Sequence, residues 1–375
     1  KPQTPNPKPL TLGLALHLPL WAIRMNAGLS TTKMGEYALP HTGNKNRSNQ
    51  LVISRDGQIV AAALALEIVF FLRRDLELPA ARCSLVTYKT QAPVNYACLL
   101  RPFKRDSFCF TTEDDRVIFF EVRKVLESAK PSCTTLLNRR RPAPPEDYGG
   151  TWSLAHLAAR EWLLAGSNAR CVNVYQFGRV GEVVQLTFLK SIEHAHNVPF
   201  ISASPCGEFF ASACISQTVS LFAQGRLEVQ YQASEPVWSV EWLGRQKSSR
   251  QLQGYSLLVT TAFTIEKLSY HRGNPPGLYL EQTFQLSNNW NSRIYLHEEI
   301  PQFNFFLYLH HPSNNLILLR HDGRQIASMV DIVGLGRKAI GFRAFLARDD
   351  LYLVMLYESG VCCSYRIETK GLGFG

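Results

Sequence analysis

The most metal-like cluster in the sequence is Glu193-His194-Ala195-His196. Residues two apart on a strand point to the same face, so the two imidazoles could ligate a zinc ion together. A zinc site needs further ligands, and no third one follows nearby in the sequence. The interpretation that needs fewest assumptions is a histidine that hydrogen-bonds within its own structural unit, the blade of a repeated β fold.

Other patterns that resemble catalytic motifs are incomplete. The glycine pairs 178/181 and 334/336 are too closely spaced for phosphate loops, and neither begins a predicted helix. No serine lies in a Gly-x-Ser-x-Gly elbow. The aspartate pairs 114–115 and 349–350 fall at predicted hairpin turns, where aspartate commonly caps local amides. We therefore predict no enzyme, no cofactor, no metal and no small-molecule substrate.

Arginines follow two strand-like aromatic segments at the same spacing, in Phe120-Glu121-Val122-Arg123 and Phe71-Leu72-Arg73-Arg74. A guanidinium suits a partly desolvated protein interface because its planar fork makes several directed hydrogen bonds. Phe120, Glu121, Arg123, Phe71 and Arg74 form the predicted partner-binding set. The alternative is that each arginine only pairs with a neighbouring carboxylate on the surface.

A third set of arginines, Arg139, Arg140 and Arg141, forms a run inside the proline-rich stretch 124–149. The net charge of the chain is +10, which favours acidic protein partners or nucleic acid. We predict that this stretch is an exposed loop and that the run is an anion-binding patch or a nuclear-import signal. The alternative is that these arginines only keep a loop solvated.

The elements that must position these residues recur along the chain. Each copy has a polar turn, an apolar run, a second polar turn and a closing apolar strand. The apolar runs are Ile59–Ala63, Phe108–Thr112, Trp162–Gly166, Phe209–Ala213, Leu257–Thr261, Phe305–Leu309 and Leu351–Met355. The closing strands end at Phe71, Phe120, Tyr175, Phe222, Leu268, Leu319 and Tyr365.

The ends of the closing strands recur at intervals of about 46 to 55 residues, which is typical of propeller blades. The sequence therefore predicts an all-β fold, a single seven-bladed β-propeller, over residues 50–368. Residues 1–49 are predicted to be a partly extended N-terminal arm, and 369–375 a C-terminal tail. The apolar segment Leu10–Ile23 is expected to lie on the ring or to pair into the last blade. The only helix expected is a short one around 121–129.

The nine cysteines are an odd number without a Cys-x-x-Cys pair, and several lie in predicted strands. This pattern is typical of unpaired cysteines in a reducing compartment. No uncharged apolar stretch reaches 18 residues, so no membrane span is expected.

Several blades resemble a fungal WD-repeat family named for constitutive transcription of ribonucleotide reductase genes. The stretches that carry the resemblance keep the family's order. They are Asn49–Ser54, Ile59–Ala61, Glu67–Phe70, Pro93–Asn95, Phe108–Thr112, Thr151–Leu154, Ala165–Asn168, Val172–Val174, His196–Ile201, Ile300–Pro301, Leu316–Leu319, Leu353–Tyr357 and Ser364–Ile367. The Trp-Asp and Gly-His pairs of typical WD repeats are missing, so the repeats are divergent.

The resemblance implies a nuclear, non-catalytic WD-repeat protein that regulates ribonucleotide reductase genes in DNA replication and the damage response. It also implies a substrate receptor of a cullin-type ubiquitin ligase, docked on a multi-propeller adaptor similar to damaged-DNA-binding protein. In such receptors Trp-Asp-x-Arg ends a blade, and its arginine contacts the adaptor. Arg123 and Arg74 occupy the matching positions, although phenylalanine replaces tryptophan.

Two alternatives remain at the level of sequence. One is the related WD-repeat receptor of the fungal heterochromatin cullin complex, which acts with a histone methyltransferase on chromatin. The other is a basic propeller that binds nucleic acid without a ligase. Nucleic-acid binding would weaken steeply with salt because phosphate neutralisation releases counterions.

Overall fold

The structure is a computed structural model, and it describes residues 31–39, 49–77, 84–128, 130–138, 150–181, 183–243, 255–261, 263–273, 275–285, 297–300, 305–310, 315–320, 325–329, 338–347 and 350–368. The regular structure in these ranges is β-strand, apart from short 3-10 turns at Arg73–Glu77, Pro102–Lys104 and Val122–Lys124. The all-β prediction is therefore confirmed.

The strands of the described ranges form seven four-stranded antiparallel sheets. Sheet 7 contains β1 (Thr31–Ala38) together with the last three strands of the chain. Sheet 1 has β2 (Leu51–Ile53), β3 (Ile59–Leu64), β4 (Glu67–Leu72) and β5 (Val86–Lys89). Sheet 2 has β6 (Val94–Leu100), β7 (Ser107–Thr112), β8 (Arg116–Glu121) and β9 (Thr134–Leu137). Sheet 3 has β10 (Thr151–Leu157), β11 (Trp162–Ser167), β12 (Cys171–Val180) and β13 (Val183–Glu193).

The remaining sheets repeat this order. Sheet 4 has β14 (Phe200–Ala203), β15 (Phe209–Cys214), β16 (Thr218–Ala223) and β17 (Arg226–Gln232). Sheet 5 has β18 (Ser239–Trp242), β19 (Tyr255–Thr260), β20 (Thr264–His271) and β21 (Gly277–Gln285). Sheet 6 has β22 (His297–Ile300), β23 (Phe305–His310), β24 (Asn315–Arg320) and β25 (Gln325–Met329). Sheet 7 has β26 (Ala339–Ala347), β27 (Asp350–Tyr357), β28 (Val361–Ile367) and β1.

The first strands of neighbouring sheets contact one another in chain order. The contacting pairs are β2 with β6, β6 with β10, β10 with β14, and β14 with β18. In addition, β26 of sheet 7 contacts both β22 of sheet 6 and β2 of sheet 1. These strands are therefore the innermost ones, and we letter the strands of each sheet A to D from the axis outwards. Sheets arranged in this way around an axis form a β-propeller, as the sequence predicted.

The B and C strands are apolar on both faces because each sheet is packed between two others. In β4, Val69 and Phe71 face the core shared with sheet 7, whereas Ile68 and Phe70 face the core shared with sheet 2. All four side chains are at most 1% exposed. Burying one such side chain contributes roughly 1.5–3 kcal/mol, so these inter-sheet layers supply the main stabilisation of the ring.

The ring is closed by an N-terminal strand. Strand β1 pairs antiparallel with β28 as the D strand of sheet 7, with Thr31 opposite Ile367 and Ala38 opposite Val361. The segment that the sequence suggested for this pairing, Leu10–Ile23, lies outside the described residues. In the described part of the predicted arm 1–49, the strand that closes the ring is β1.

Two local predictions were wrong. The stretch 124–149 was predicted to be a loop, but it contains β9, because Thr134–Leu137 pairs with Phe119–Arg116 as the outer strand of sheet 2. The helix predicted around 121–129 is only the 3-10 turn Val122–Lys124, because Val122 and Val125 turn into the core that sheets 1 and 2 share. The predicted tail 369–375 lies outside the described residues.

The eight cysteines within the described ranges are unbridged. No helical segment in those ranges has the length and apolarity that a membrane span requires.

Candidate protein-interaction surface

The turns of the propeller lie at two ends of the sheets. The A–B and C–D turns share one end, which we call the AB/CD face, and the B–C and D–A connections share the other, the BC/DA face. The AB/CD face carries the 3-10 turns Arg73–Glu77, Pro102–Lys104 and Val122–Lys124, because each of them follows an A or a C strand. Three members of the predicted partner-binding set, Arg74, Glu121 and Arg123, lie at this face.

Arg74 and Arg123 occupy equivalent positions in neighbouring sheets. Strand β4 ends at Leu72 and β8 ends at Glu121, so each arginine is the second residue after a C strand. Both side chains are exposed. Within the part of the chain that the structure describes, neither makes a hydrogen bond or an ion pair. Both arginines therefore lie exposed at the same end of neighbouring sheets. Their role in binding a partner stays a prediction.

The two aromatic members of the predicted set are core residues. Phe71 is 1% exposed and Phe120 is fully buried. The Phe120 ring lies 4.9 Å from the ring of Phe70 and 5.1 Å from that of Tyr88, measured between centroids. Phe71 packs in the core between sheets 7 and 1, and Phe120 packs in the core between sheets 1 and 2. Because both rings fill these inter-sheet layers, they cannot touch a partner. Their assignment to the partner-binding set is corrected.

Glu121 stays at the surface, where two cations surround it. Its Oε2 lies 2.9 Å from Nζ of Lys124, and its Oε1 lies 3.7 Å from a terminal guanidinium nitrogen of Arg105. All three side chains are partly exposed, so each pair contributes at most about 1 kcal/mol to stability. The carboxylate therefore orders the two cations along the edge of sheet 2 more than it stabilises the fold.

A groove of about 260 Å³ opens beside Glu121, between sheet 2 and the C–D hairpin of sheet 3. We call it the basic groove. Among the residues that the structure describes, its lining is formed by Pro102, Phe103, Arg105, Ser107, Phe119, Glu121, Lys124, Ser132, Cys133, Thr134, Arg179, Val183 and Val184. Three cations and one carboxylate belong to this described lining, so cations outnumber anions around its apolar floor.

The hairpin that forms one wall of the groove projects beyond its sheet. The B strand β11 pairs with the C strand β12 only as far as Trp162 opposite Gln176. The C and D strands, β12 and β13, continue to pair with each other as far as Val180 opposite Val183. Val180 is 62% exposed and Val183 is 57% exposed. Apolar side chains on a projecting ribbon are available to a partner, since no further strand of sheet 3 covers them.

The opposite wall is a turn in an unusual conformation. Phe103 and Lys104 both have positive φ angles, 50° and 62°. Non-glycine residues in this region are strained, and such strain often marks a functional site. The carboxylate of Glu161 holds the turn from sheet 3, because its Oε2 accepts the Phe103 amide at 3.1 Å. The same oxygen lies 3.1 Å from Nε2 of His156. Burial lowers the pKa of His156, and the nearby Glu161 carboxylate raises this pKa by less.

The candidate zinc residues do not converge on a common point. The Nδ1–H of His194 donates to the Ile192 carbonyl at 3.1 Å, and the Ser212 hydroxyl donates to Nε2 at 2.8 Å. The ring nitrogen of His196 instead accepts the Asn197 amide at 2.8 Å. His194 therefore links sheet 3 to the B strand of sheet 4. The histidine is hydrogen-bonded within its own blade through Ile192, as expected, but the expectation that its bonding stays within that blade is wrong, because the Ser212 hydroxyl belongs to the next sheet.

A buried polar network on the BC/DA face was missed at the level of sequence. Asn138 donates to the Thr151 hydroxyl at 2.8 Å, and that hydroxyl donates to Asp115 at 3.3 Å. The amide oxygen of Asn138 accepts from Asn173 at 2.9 Å and from Tyr175 at 2.7 Å. The network links sheets 2 and 3. Its members are far apart in sequence, so only the hairpin-turn role of Asp115 was visible.

The arginine run at Arg139, Arg140 and Arg141 lies outside the described residues. Its predicted roles in anion binding and nuclear import stay predictions. The run directly follows Asn138, a buried residue that comes immediately after the D strand of sheet 2.

Comparison with known proteins identifies the fold. No family model matches the chain, and no curated protein matches it. A WD40 propeller from a solved structure described as "Crystal Structure of Mitotic Checkpoint Complex" matches with a TM-score of 0.66 and 13% sequence identity, over 98% of this chain and 97% of that one. The chain is thus a WD40-like propeller, and an identity this low shows the fold alone.

Proposed function

We propose that this chain is a nuclear protein-interaction scaffold that serves as a substrate receptor of a cullin-type ubiquitin ligase. The coarser part, a propeller that binds other proteins, is supported by the WD40-like fold and by a structural neighbour that comes from a multiprotein complex. The finer part rests on the sequence resemblance, which also implies regulation of ribonucleotide reductase genes.

One observation carries the docking part of the proposal. Arg74 and Arg123 lie at the same position of neighbouring sheets, and both are exposed on the AB/CD face. An adaptor with acceptors on its docking surface can bury both guanidinium groups. Truncating a buried interfacial arginine typically costs on the order of 2–4 kcal/mol, whereas losing an exposed surface pair costs about 0–1 kcal/mol.

The test is a pull-down of the multi-propeller adaptor with the variant Arg74→Ala/Arg123→Ala. We expect recovery of the adaptor to be lost while the thermal midpoint of the propeller is unchanged. The matched control is Lys89→Ala/Arg170→Ala, which removes two exposed cations from the BC/DA face. Undiminished recovery with the first variant would overturn the docking assignment.

A second candidate function is nucleic-acid or chromatin binding by a basic propeller, which the net charge of +10 favours. The two functions differ in salt dependence. Phosphate contacts weaken by orders of magnitude as salt rises from 50 to 200 mM, whereas a hot-spot protein interface changes much less. A binding titration with duplex DNA and with the adaptor at the two salt concentrations separates them.

A further inference from the structure

We propose that the basic groove binds an acidic, extended segment of a partner protein and takes one bulky apolar side chain of that segment between sheets 2 and 3. The inference deepens the scaffold function proposed above, because it names a second contact site and the chemistry of its partner. It involves neither Arg74 nor Arg123.

The size of the groove argues for a side chain rather than for a cofactor. Its volume of about 260 Å³ lies below the range of roughly 300–1,000 Å³ typical of small-molecule sites. Phe119, at 5% exposure, forms the apolar floor, and Phe103 supplies one apolar wall. Val183 and Val184 supply an apolar wall. An apolar anchor of leucine or phenylalanine size finds van der Waals partners on both sides of such a slot.

The charge around the slot selects the flanking residues of the partner. Arg105 and Lys124 lie on one rim and Arg179 on the other, and Glu121 is the one carboxylate in the lining that the structure describes. Exposed Arg101 and Lys104 extend the positive charge along the adjoining turn, where Asp106 pairs with Arg101 at 3.3 Å. The excess of cations favours aspartate and glutamate on both sides of the anchor.

The walls are held in place before a partner arrives. Glu161 fixes the strained Phe103 turn from sheet 3, and the Arg179 guanidinium lies 5.9 Å from the centre of the Phe103 ring. Phe177, at the base of the hairpin, packs its ring 6.0 Å from that of Phe119. A groove whose walls are already cross-linked loses little conformational entropy on binding, which favours recognition of a short segment.

The test is a selection from a random twelve-residue peptide display library against the whole chain, at 100 mM salt. We expect the recovered peptides to contain one leucine, phenylalanine or tyrosine flanked by aspartate and glutamate. Recovery of basic or uncharged peptides alone, or of none above background, would overturn the proposal.

Two variants separate the groove from the rest of the surface. The recovered peptides should bind Lys124→Ala/Arg179→Ala and Val183→Ser at least about tenfold more weakly, because the bound segment would desolvate both cations and the exposed valine, and truncating side chains at the centre of a small interface weakens binding at this level. The control Lys89→Ala/Arg170→Ala should bind as the unmodified chain does. Equal binding to all variants would contradict the site.

A charge-reversal variant gives a positive readout that does not depend on loss of function. Selection against Lys124→Glu/Arg179→Glu should yield peptides with lysine and arginine around the same apolar anchor. A twelve-residue oligothymidylate serves as the nucleic-acid arm, and binding of it through the groove in preference to the acidic peptides would overturn the proposal.

Peptide binding by the groove and adaptor docking through Arg74 and Arg123 are measured separately. Groove variants leave Arg74 and Arg123 intact, so adaptor recovery should be unchanged when peptide binding is lost. The absence of adaptor recovery from the unmodified chain would contradict the receptor function, whatever peptides the groove selects.

Discussion

The guanidinium of Arg179 lies over the ring of Phe103, with 5.9 Å between its central carbon and the ring centroid. Arg179 belongs to the projecting hairpin of sheet 3, and Phe103 to the strained A–B turn of sheet 2. The contact therefore connects sheets 2 and 3 at the AB/CD face. It lies on the part of the hairpin that extends beyond the last residue paired with the B strand of sheet 3. It holds together the two walls of the basic groove.

The first prediction concerns the mobility of this hairpin. Replacing Arg179 with alanine removes a cation–π contact worth about 0.5–1 kcal/mol at an exposed site. Because the hairpin tip pairs with no third strand, we expect the loss to appear as faster amide exchange over residues 178–186, with little change in global stability. Hydrogen exchange followed by mass spectrometry measures both. The control is Arg226→Ala, at the corresponding turn of sheet 4, which should leave exchange at 178–186 unchanged.

The second prediction concerns the dependence of stability on pH through His194. Burial lowers the pKa of this imidazole below its ordinary value of 6.5. A folded-state pKa below the unfolded one means that the unfolded chain binds more protons in that window. The contribution to stability is therefore fully present above about 6.5 and is lost as the pH falls through the folded pKa.

Denaturant titrations at pH 7.5 and pH 5 test this directly. The loss of unfolding free energy on acidification should be smaller in His194→Gln than in the unmodified chain, because glutamine keeps a hydrogen-bonding side chain without titrating. His196→Gln is the control, since the His196 side chain is exposed. An identical acid-induced loss in all three proteins would contradict the assignment.

The third prediction concerns the packing of sheet 3 against sheet 4. A Cβ added at Gly166 would lie 2.8 Å from the Val198 carbonyl oxygen and 3.1 Å from a methyl carbon of Ile201. Gly166→Ala should therefore destabilise the propeller by roughly 1–3 kcal/mol through overpacking. Gly178 lies in the next strand of the same sheet, but its added Cβ would meet only the Gln185 carbonyl at 3.9 Å. Gly178→Ala should thus be neutral, and equal midpoints in chemical denaturation would refute the contrast.

The fourth prediction uses the pairing that closes the ring. Glu36 lies directly opposite Cys363 in the β1–β28 ladder, and their side chains touch. Glu36→Cys should form a disulfide with Cys363 under oxidation. In the chain-entropy account, closing a loop of this length stabilises the fold by about 6 kcal/mol, and engineered disulfides usually deliver less.

The measurement is the thermal midpoint with and without reductant. We expect a higher midpoint for Glu36→Cys only in the oxidised protein, and no redox dependence for Glu36→Ser. Peptide mapping should identify the bond between positions 36 and 363. Failure of this pair to form under oxidising conditions would show that the strands do not hold this register.

The elements that the sequence predicted well are the B and C strands. Runs such as Phe108–Thr112 and Trp162–Gly166 are apolar without alternation because both faces of a propeller sheet are buried. That composition stands out from the turns around it. The D strands were missed because they are half-exposed: β9 is only Thr-Thr-Leu-Leu, and β13 alternates between exposed and partly buried residues.

The candidate site was predictable only in part, and for a related reason. The exposure of Arg74 and Arg123 follows from their position after a strand, which is local information. The basic groove depends on the meeting of Phe103 with Arg179 and on positive φ angles at two non-glycine residues, neither of which any local pattern encodes. The role of Phe71 and Phe120 was misjudged because a strand-end aromatic can face either a partner or the next sheet.

The closing strand also sets the order of events when the protein is made. Glu36 emerges from the ribosome 327 positions ahead of Cys363, its partner in the finished ladder. At about 5–20 residues per second, β1 waits roughly 15 to 65 seconds for β28. Earlier sheets can assemble during that time, whereas the ring cannot shut. A nascent chain interrupted late in translation would therefore lack β28, and β1 would have no strand to pair with. Its ring would stay open, and the exposed strand edge would be available to chaperones and proteases.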